Sequence, residues 1–396
     1  MRMKILLIGE YSNLHHTLCE ALRRAGHDVL LVSDGDGWKD YPRDVDLRRH
    51  HPGPLGSLCY LARLATLLPR MRGYDVVQII NPIFLDVKAR WNRWVFDYLQ
   101  RHNHRVSVGC FGDDTHVLQR MQDPSLFEYS DFQAYGRPIE HANNRRRLAN
   151  WNAPDKVSLT SHIMTKADCL VACLYEYWKV YDEPAFRSRL HYIPLPVRTL
   201  TVESFKDTQT GAADSSAPSY PKPITILFAA QRERAQMKGT DQLEPLFDRL
   251  AAAYPDRIRL HKIVSVPFAE YRRLVAEADV VVDQLYSYTP AMGALESLSQ
   301  GKVVISGYET EYARFLNDAE ASGIINLRPF ADAENYAILE HLLTDTEAVA
   351  RLKQAALDFV RRHHDADHVA RLYLEAWSSA IGVGDVSSSS KRPSQR

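Results

Sequence analysis

Apolar residues in this chain come in short β-branched runs, and each run is followed by a stretch in which they recur at helical spacing. That alternation predicts parallel strands covered on both faces by helices. Residues 5–8 read as a buried strand and 9–13 as a turn. Leu14, Leu18, Ala21 and Leu22 then share one helix face that stops at Gly26. A second strand over 28–33 completes a βαβ unit. Further strands are predicted over 75–80, 105–110, 169–173 and 191–194, with helices over 55–72, 89–101, 156–166 and 174–181. The alternation stops at 199–223, a stretch of Thr, Ser, Ala, Asp and Pro without apolar period. It restarts with strands over 224–228, 257–262, 279–282, 302–305 and 323–326. Helices are expected over 241–253, 269–278, 291–300, 309–317, 332–343, 345–363 and 368–380. The pattern gives an α/β chain of two domains, 1–198 and 224–367, joined by a linker over 199–223 and followed by a low-complexity tail over 381–396.

Composition narrows the function. The 396 residues are 45% hydrophobic and 25% charged with zero formal net charge, so no global basic excess argues for nucleic acid. None of the five cysteines, Cys19, Cys59, Cys110, Cys169 and Cys173, forms a C-x-x-C pair; buried free thiols in a reducing cytosol are expected. The apolar run that ends at Gly9 is too short for a signal segment, and no run reaches membrane-spanning length.

Candidate chemistry gathers where strands end. Arg232 and Lys238 follow the strand over 224–228, and Gly293 and Glu296 open the helix after the strand over 279–282. In a parallel sheet these ends share one edge. Two cations and a helix N-terminus there suit a diphosphate, and a carboxylate suits a ribose diol. Asp113, Asp114 and His116 follow the strand over 105–110. They read either as an acid–base group in a cleft or as a helix cap with a chance histidine. Asp34 and Asp36, a D-x-D in a glycine-rich turn, could hold a metal but read better as a turn. The aromatic and basic stretch over 89–101 fits a packed helix with snorkelling arginines better than a membrane-surface helix. The polar segment 123–154 reads as an excursion over the cleft. No G-x-G-x-x-G follows the first strand, which argues against a dinucleotide site.

The stretches FAAQRERAQMKGTDQL, VPFAEYRRLVAEADVVVDQ and GALESLSQGKVVIS resemble those of GT-B glycosyltransferases of the retaining, group 1 (family 4-like) type. The resemblance implies two Rossmann-like domains facing a cleft, a nucleotide-diphospho-sugar as donor, and transfer to a hydroxyl acceptor. That acceptor is a glycan, a lipid-linked molecule or a small molecule. No metal or other cofactor is implied, and the setting is the cytoplasm, with peripheral contact at the inner membrane face. By the same resemblance Arg232, Lys238, Gly9 and Gly293 hold the diphosphate and Glu296 the ribose. Val266 and Pro267 lie beside the base, and Tyr288, Ala291 and Met292 beside the donor sugar. Asp113, Asp114 and His116 stand at the catalytic position, and the last helix crosses back to the first domain. The chain departs from the family at one point. Where the usual pattern is E-x7-E, Tyr288 replaces the first glutamate. That departure supports the alternative of a non-catalytic nucleotide-sugar-binding or scaffold protein and counts against the other alternative, a sugar-nucleotide epimerase, which needs acids on both faces of the sugar.

Overall fold

The computed structural model describes residues 2–199, 222–230, 233–318 and 320–382. The expected linker lies almost wholly outside them, as do Arg232 and the tail beyond 382. In the first half the strands are β1 (Lys4–Ile8), β2 (Asp28–Ser33), β3 (Val45–Asp46), β4 (Val76–Ile79), β5 (Val106–Cys110), β6 (Gln133–Ala134), β7 (Arg137–Pro138), β8 (Cys169–Ala172) and β9 (Leu190–Tyr192). Seven of these form one parallel sheet in the order β3-β2-β1-β4-β5-β8-β9, while β6 and β7 make a separate antiparallel hairpin. In the second half β10 (Ile224–Ala230), β11 (Ile258–Val264), β12 (Val280–Val282), β13 (Val303–Ile305) and β14 (Ile324–Ile325) form a parallel sheet ordered β11-β10-β12-β13-β14. Both orders reverse direction beside the first strand of their half, which opens a crevice at the carboxyl ends.

Helices cover both faces of the central strands, and this is why those strands carry unbroken apolar runs. Ile5, Leu6, Leu7 and Ile8 are all fully buried, as are Val280, Val281 and Val282. The basic-aromatic helix Ala89–His102 packs Val95, Phe96 and Leu99 into the core. Trp94 stays half exposed and stacks on Tyr98 at 6.0 Å, so packing governs this helix. Four cysteines are buried, but Cys59 is exposed on the helix Gly53–Leu67. The segment 123–154 is an ordered excursion built from the β6–β7 hairpin and the helix Ala142–Trp151.

After the second sheet the chain returns to the first. Val197 N–H donates to His364 O at 2.7 Å, and Ala366 N–H donates to Val197 O at 3.1 Å. The last helix, Ala366–Gly382, then lies on the helix Leu14–Arg24. Tyr373 and Trp377 enter the first core, and Arg24 pairs with Asp367 at 2.5 Å.

The first turn of Leu14–Arg24 is anchored by a buried acid. Glu10 accepts His15 N–H at 3.2 Å and His16 N–H at 2.8 Å, so its carboxylate sits at the positive helix end. Burial nevertheless pushes its carboxyl from the ordinary 4.5 up to about 7. A raised folded value means that stability is fully present below pH 4.5 and is lost as pH rises through 7. Glu10→Gln lacks that loss, so its stability relative to the parent protein should climb across this window by up to about 3 kcal/mol. Melting curves of both proteins at a series of pH values check it; a difference that stays flat refutes it.

Candidate functional site

The carboxyl ends of the two sheets face each other across a cavity of about 840 Å³. The first half contributes Tyr11 and Ser12 after β1, Asp36 and Lys39 after β2, Asp113 after β5 and Glu176 after β8. From the second half come Arg234 and Lys238 after β10 and the segment around Tyr286 and Tyr288 after β12.

Lys238 is held in place by its neighbours. Its Nζ lies 2.7 Å from Asp283 Oδ1, and its carbonyl accepts Leu285 N–H at 2.7 Å. Gly239 beside it has φ +71°, and a Cβ there would meet Leu285 Cβ at 2.8 Å. Only glycine allows both the turn and the close approach, which explains the Lys-Gly pair in the sequence. Arg234 and Arg146 add exposed guanidinium groups to the cavity wall.

Glu296 does not share this cavity. It lines a second one of about 260 Å³ with Tyr41, Arg198, Tyr271, Arg272 and Gly293. Burial raises its carboxyl above the usual carboxylate range, opposed by Lys39 and Arg272. Met292 lines both cavities and Ala291 the larger one. The expected clamp for diphosphate and ribose is thus divided between two adjoining spaces. Val266 and Pro267 line neither of them.

The three residues expected at the catalytic position part company. Asp113 lines the large cavity, held by Arg147 through two 2.7 Å contacts, Nε to Oδ2 and Nη2 to Oδ1. Arg147 also donates to Asp131, which ties the excursion to the cleft wall. Asp114 is instead buried as the cap of the helix Thr115–Arg120. It accepts Val117 N–H at 2.8 Å and the Tyr181 hydroxyl at 2.7 Å, and burial lifts its carboxyl to about 6. His116 points away into a third cavity of about 190 Å³ with Thr160 and Phe186, 3.6 Å from the Glu183 carboxylate. Burial lowers its pKa. Asp113 and His116 thus line different cavities while Asp114, between them in sequence, is buried as the helix cap, so the three do not form one group. Gly9 likewise stays off the cavity. Its φ is +88°, and a Cβ would meet Ile80 Cγ2 at 2.3 Å, so it serves the close packing of β1 and β4 ends. Asp36 lines the large cavity but pairs with Lys39 and accepts Ser12 N–H at 2.8 Å, as a turn residue does. Among the described residues no group of three or more His, Cys, Asp or Glu could hold a metal ion.

Tyr288 sits at a junction of the two halves. Its N–H donates to Glu176 Oε1 at 2.6 Å and Thr289 N–H donates to the same oxygen at 3.0 Å, while the Thr289 hydroxyl donates to Oε2. The Tyr288 hydroxyl accepts Glu128 N–H at 2.8 Å. Next to it the Tyr129 hydroxyl donates to Glu309 Oε1 at 2.6 Å, and Glu309 also accepts Asn326 at 2.8 Å and Arg328 at 3.0 Å. Burial works against the Glu309 carboxylate, yet these partners hold its pKa below the usual value. Sequence reading missed Glu176, Arg147, Tyr129 and Glu309. Each lies in an ordinary helix or a polar loop, and the bonds Arg147–Asp113, Glu176–Tyr288 and Tyr129–Glu309 span 34, 112 and 180 positions, so no local pattern marks them.

Residues 229–375 match a family model described as glycosyl transferase-like. No curated protein matches the sequence. Among solved structures the chain is similar to sucrose-phosphate synthase from Thermosynechococcus elongatus, at 14% identity over 97% of this chain and 100% of that one, with a TM-score of 0.57. It is similar to WaaG, a glycosyltransferase involved in lipopolysaccharide biosynthesis, at 14% identity over 96% and 99%, TM-score 0.52. HepE from Anabaena, in complex with UDP and glucose, is similar at 14% identity over 96% and 100%, TM-score 0.50. The two facing sheets and the likeness to these structures give the chain a GT-B fold, and residues 229–375 form a glycosyl transferase-like domain within it. Its second half carries the glycosyl transferase-like domain, and the first half supplies the opposite wall of the cleft.

Glu176→Ala strands two N–H groups and a hydroxyl in the interior, so it should lose about 2–5 kcal/mol of stability. Glu176→Gln keeps an oxygen for the two N–H donors and should lose less than half as much. Urea unfolding of both variants measures this, and a loss below about 1 kcal/mol for Glu176→Ala would show that the carboxylate is not the anchor.

Proposed function

We propose that the cleft binds a nucleotide-diphospho-sugar and transfers its sugar to a hydroxyl acceptor. The observation that carries this reading is the meeting of Lys238 and Arg234 with Asp113 across one large cavity at facing sheet ends. Lys238, together with Arg232 and Arg234, holds the diphosphate; Glu296 takes the ribose in the smaller cavity, and the donor runs past Met292 between them. As the bond from the anomeric carbon to the diphosphate oxygen breaks, negative charge grows on that oxygen, and fixed cations stabilise it most in a site shielded from water. The acceptor oxygen forms the new bond, and its proton leaves to the diphosphate oxygen or to Asp113. Transfer proceeds with retention and without a metal. The HepE structure holds UDP and glucose, which makes UDP-sugars the first donors to test. The buried cysteines suit a reducing compartment, and no helix among the described residues is long and apolar enough to cross a membrane. The exposed Leu55 and Leu58, with Arg63 on the same helix, offer a face for peripheral membrane contact.

A non-catalytic nucleotide-sugar-binding role is the second reading. It is favoured by Tyr288, which stands where the family pattern has a glutamate and whose hydroxyl is taken up by the backbone of the first domain.

A melting panel with UDP, GDP, ADP and TDP sugars should show a shift with one base, since a ligand bound only by the folded state stabilises it by mass action. Arg232→Ala and Lys238→Ala should each lower kcat/KM for transfer by about 10²-fold or more with folding intact. A folded double variant that transfers at the parental rate would falsify the diphosphate assignment, and donor binding without transfer or hydrolysis favours the non-catalytic role.

A further inference from the structure

Two aromatic side chains stand out at the seam between the halves. Tyr135 is 50% exposed and Phe330 is 64% exposed, and both have left-handed backbone, with φ of 52° and 58°. Tyr135 and Gly136 form the two-residue loop of the β6–β7 hairpin, with both φ values positive. That loop strongly prefers Asn-Gly. Phe330 follows the buried Pro329 just before the helix Asp332–Leu343. A bulky residue at positive φ is a true outlier, and asparagine or glycine would be relaxed at both positions. The two sites are also joined across the seam, because the Tyr135 hydroxyl donates to Pro329 O at 3.3 Å.

Both rings connect to the large cavity. Tyr129, which lines it, lies with its ring 6.5 Å from that of Tyr135. Gln242 accepts Phe330 N–H at 3.2 Å and donates to the hydroxyl of Tyr286, another lining residue. Polar groups surround the pair: Arg137 is exposed on the hairpin, and Arg328 and Glu128, both largely exposed, lie 3.5 Å apart. Flat aromatic faces flanked by charged hydrogen-bonding groups match a sugar chain. Its C–H faces carry slight positive charge that suits the negative face of an aromatic ring, and its hydroxyls take bidentate bonds from guanidinium and carboxylate. A lipid tail would take water from those charged neighbours and return no hydrogen bonds for it.

We infer that Tyr135 and Phe330 form a stacking platform for the saccharide part of the acceptor, outside the reaction cavity. This rests on the glycosyl-transfer reading, in which the second substrate carries hydroxyls to the cleft. The platform holds sugar units beyond the one that reacts, so it sets acceptor length and affinity and leaves the donor site unchanged.

The test uses the full chain and the double variant Tyr135→Asn/Phe330→Gly. Both substitutions relax the backbone, so the variant should melt no lower than the parent. The probe is an array of immobilised oligosaccharides of defined linkage, read alongside vesicles of phosphatidylglycerol and the melting shift with UDP. The parent protein should bind at least one oligosaccharide, and the double variant should bind it at least tenfold more weakly with the UDP shift unchanged. Phe330→Trp should retain binding. Equal binding by the double variant overturns the platform, as does a parent that binds no oligosaccharide. Loss of vesicle binding in place of saccharide binding would assign the rings to a membrane and also overturn it. Saccharide binding without any nucleotide shift would instead sink the donor reading and leave the platform standing.

Discussion

One buried carboxylate joins the two halves at the cleft. Glu176 belongs to the first half, yet the donors it receives come from Tyr288 and Thr289 of the second. A buried carboxylate is tolerable only when its lone pairs are occupied, and here the partners can be supplied only with the sheets face to face. The neighbouring Tyr129–Glu309 bond repeats the arrangement in reverse, with the hydroxyl from the first half and the acid from the second. Aromatic packing fills the space between: Tyr129 and Tyr288 lie 4.9 Å apart, and Tyr175 and Phe315 5.1 Å apart. The cavity therefore owes its shape to polar bonds that cross it at its back wall.

The fold was largely readable because parallel sheets advertise themselves. Strands buried on both faces must be continuously apolar, and helices between them must be periodic, so β1, β4, β5, β10, β12 and β13 were all visible within a residue or two. Short edge elements were not. The two-residue strand β3, the β6–β7 hairpin and the four-residue helix Ala235–Lys238 bury too little to leave a period.

The site was legible in part, and the reason differs residue by residue. Lys238 could be found because the glycine after it answers a local need for positive φ and close packing. Asp113 could be found because it follows a strand end, but sequence spacing alone could not tell it from Asp114. That distinction depends on which of the two caps the helix. His116 looked like a partner in the sequence and is turned away by the same helix. Glu296 stood at the expected strand end, but its separation from Lys238 by Met292 depends on how the halves meet. Arg147 gave no signal because its worth lies entirely in the distant acids it reaches.

The return of the last helix has a consequence for how the molecule is held together. Ala366–Gly382 is folded into the first core although it follows the second sheet, so the halves are joined by two separate crossings of the chain. Cutting the polypeptide between 199 and 222 would sever one crossing and leave the other as a covalent bridge in the second fragment. That fragment would carry a missing helix of its partner, much as a key carries the shape of one lock. Pieces 1–199 and 222–396 made separately are therefore expected to find each other and reconstitute the cleft, and a second piece ending before residue 366 is not.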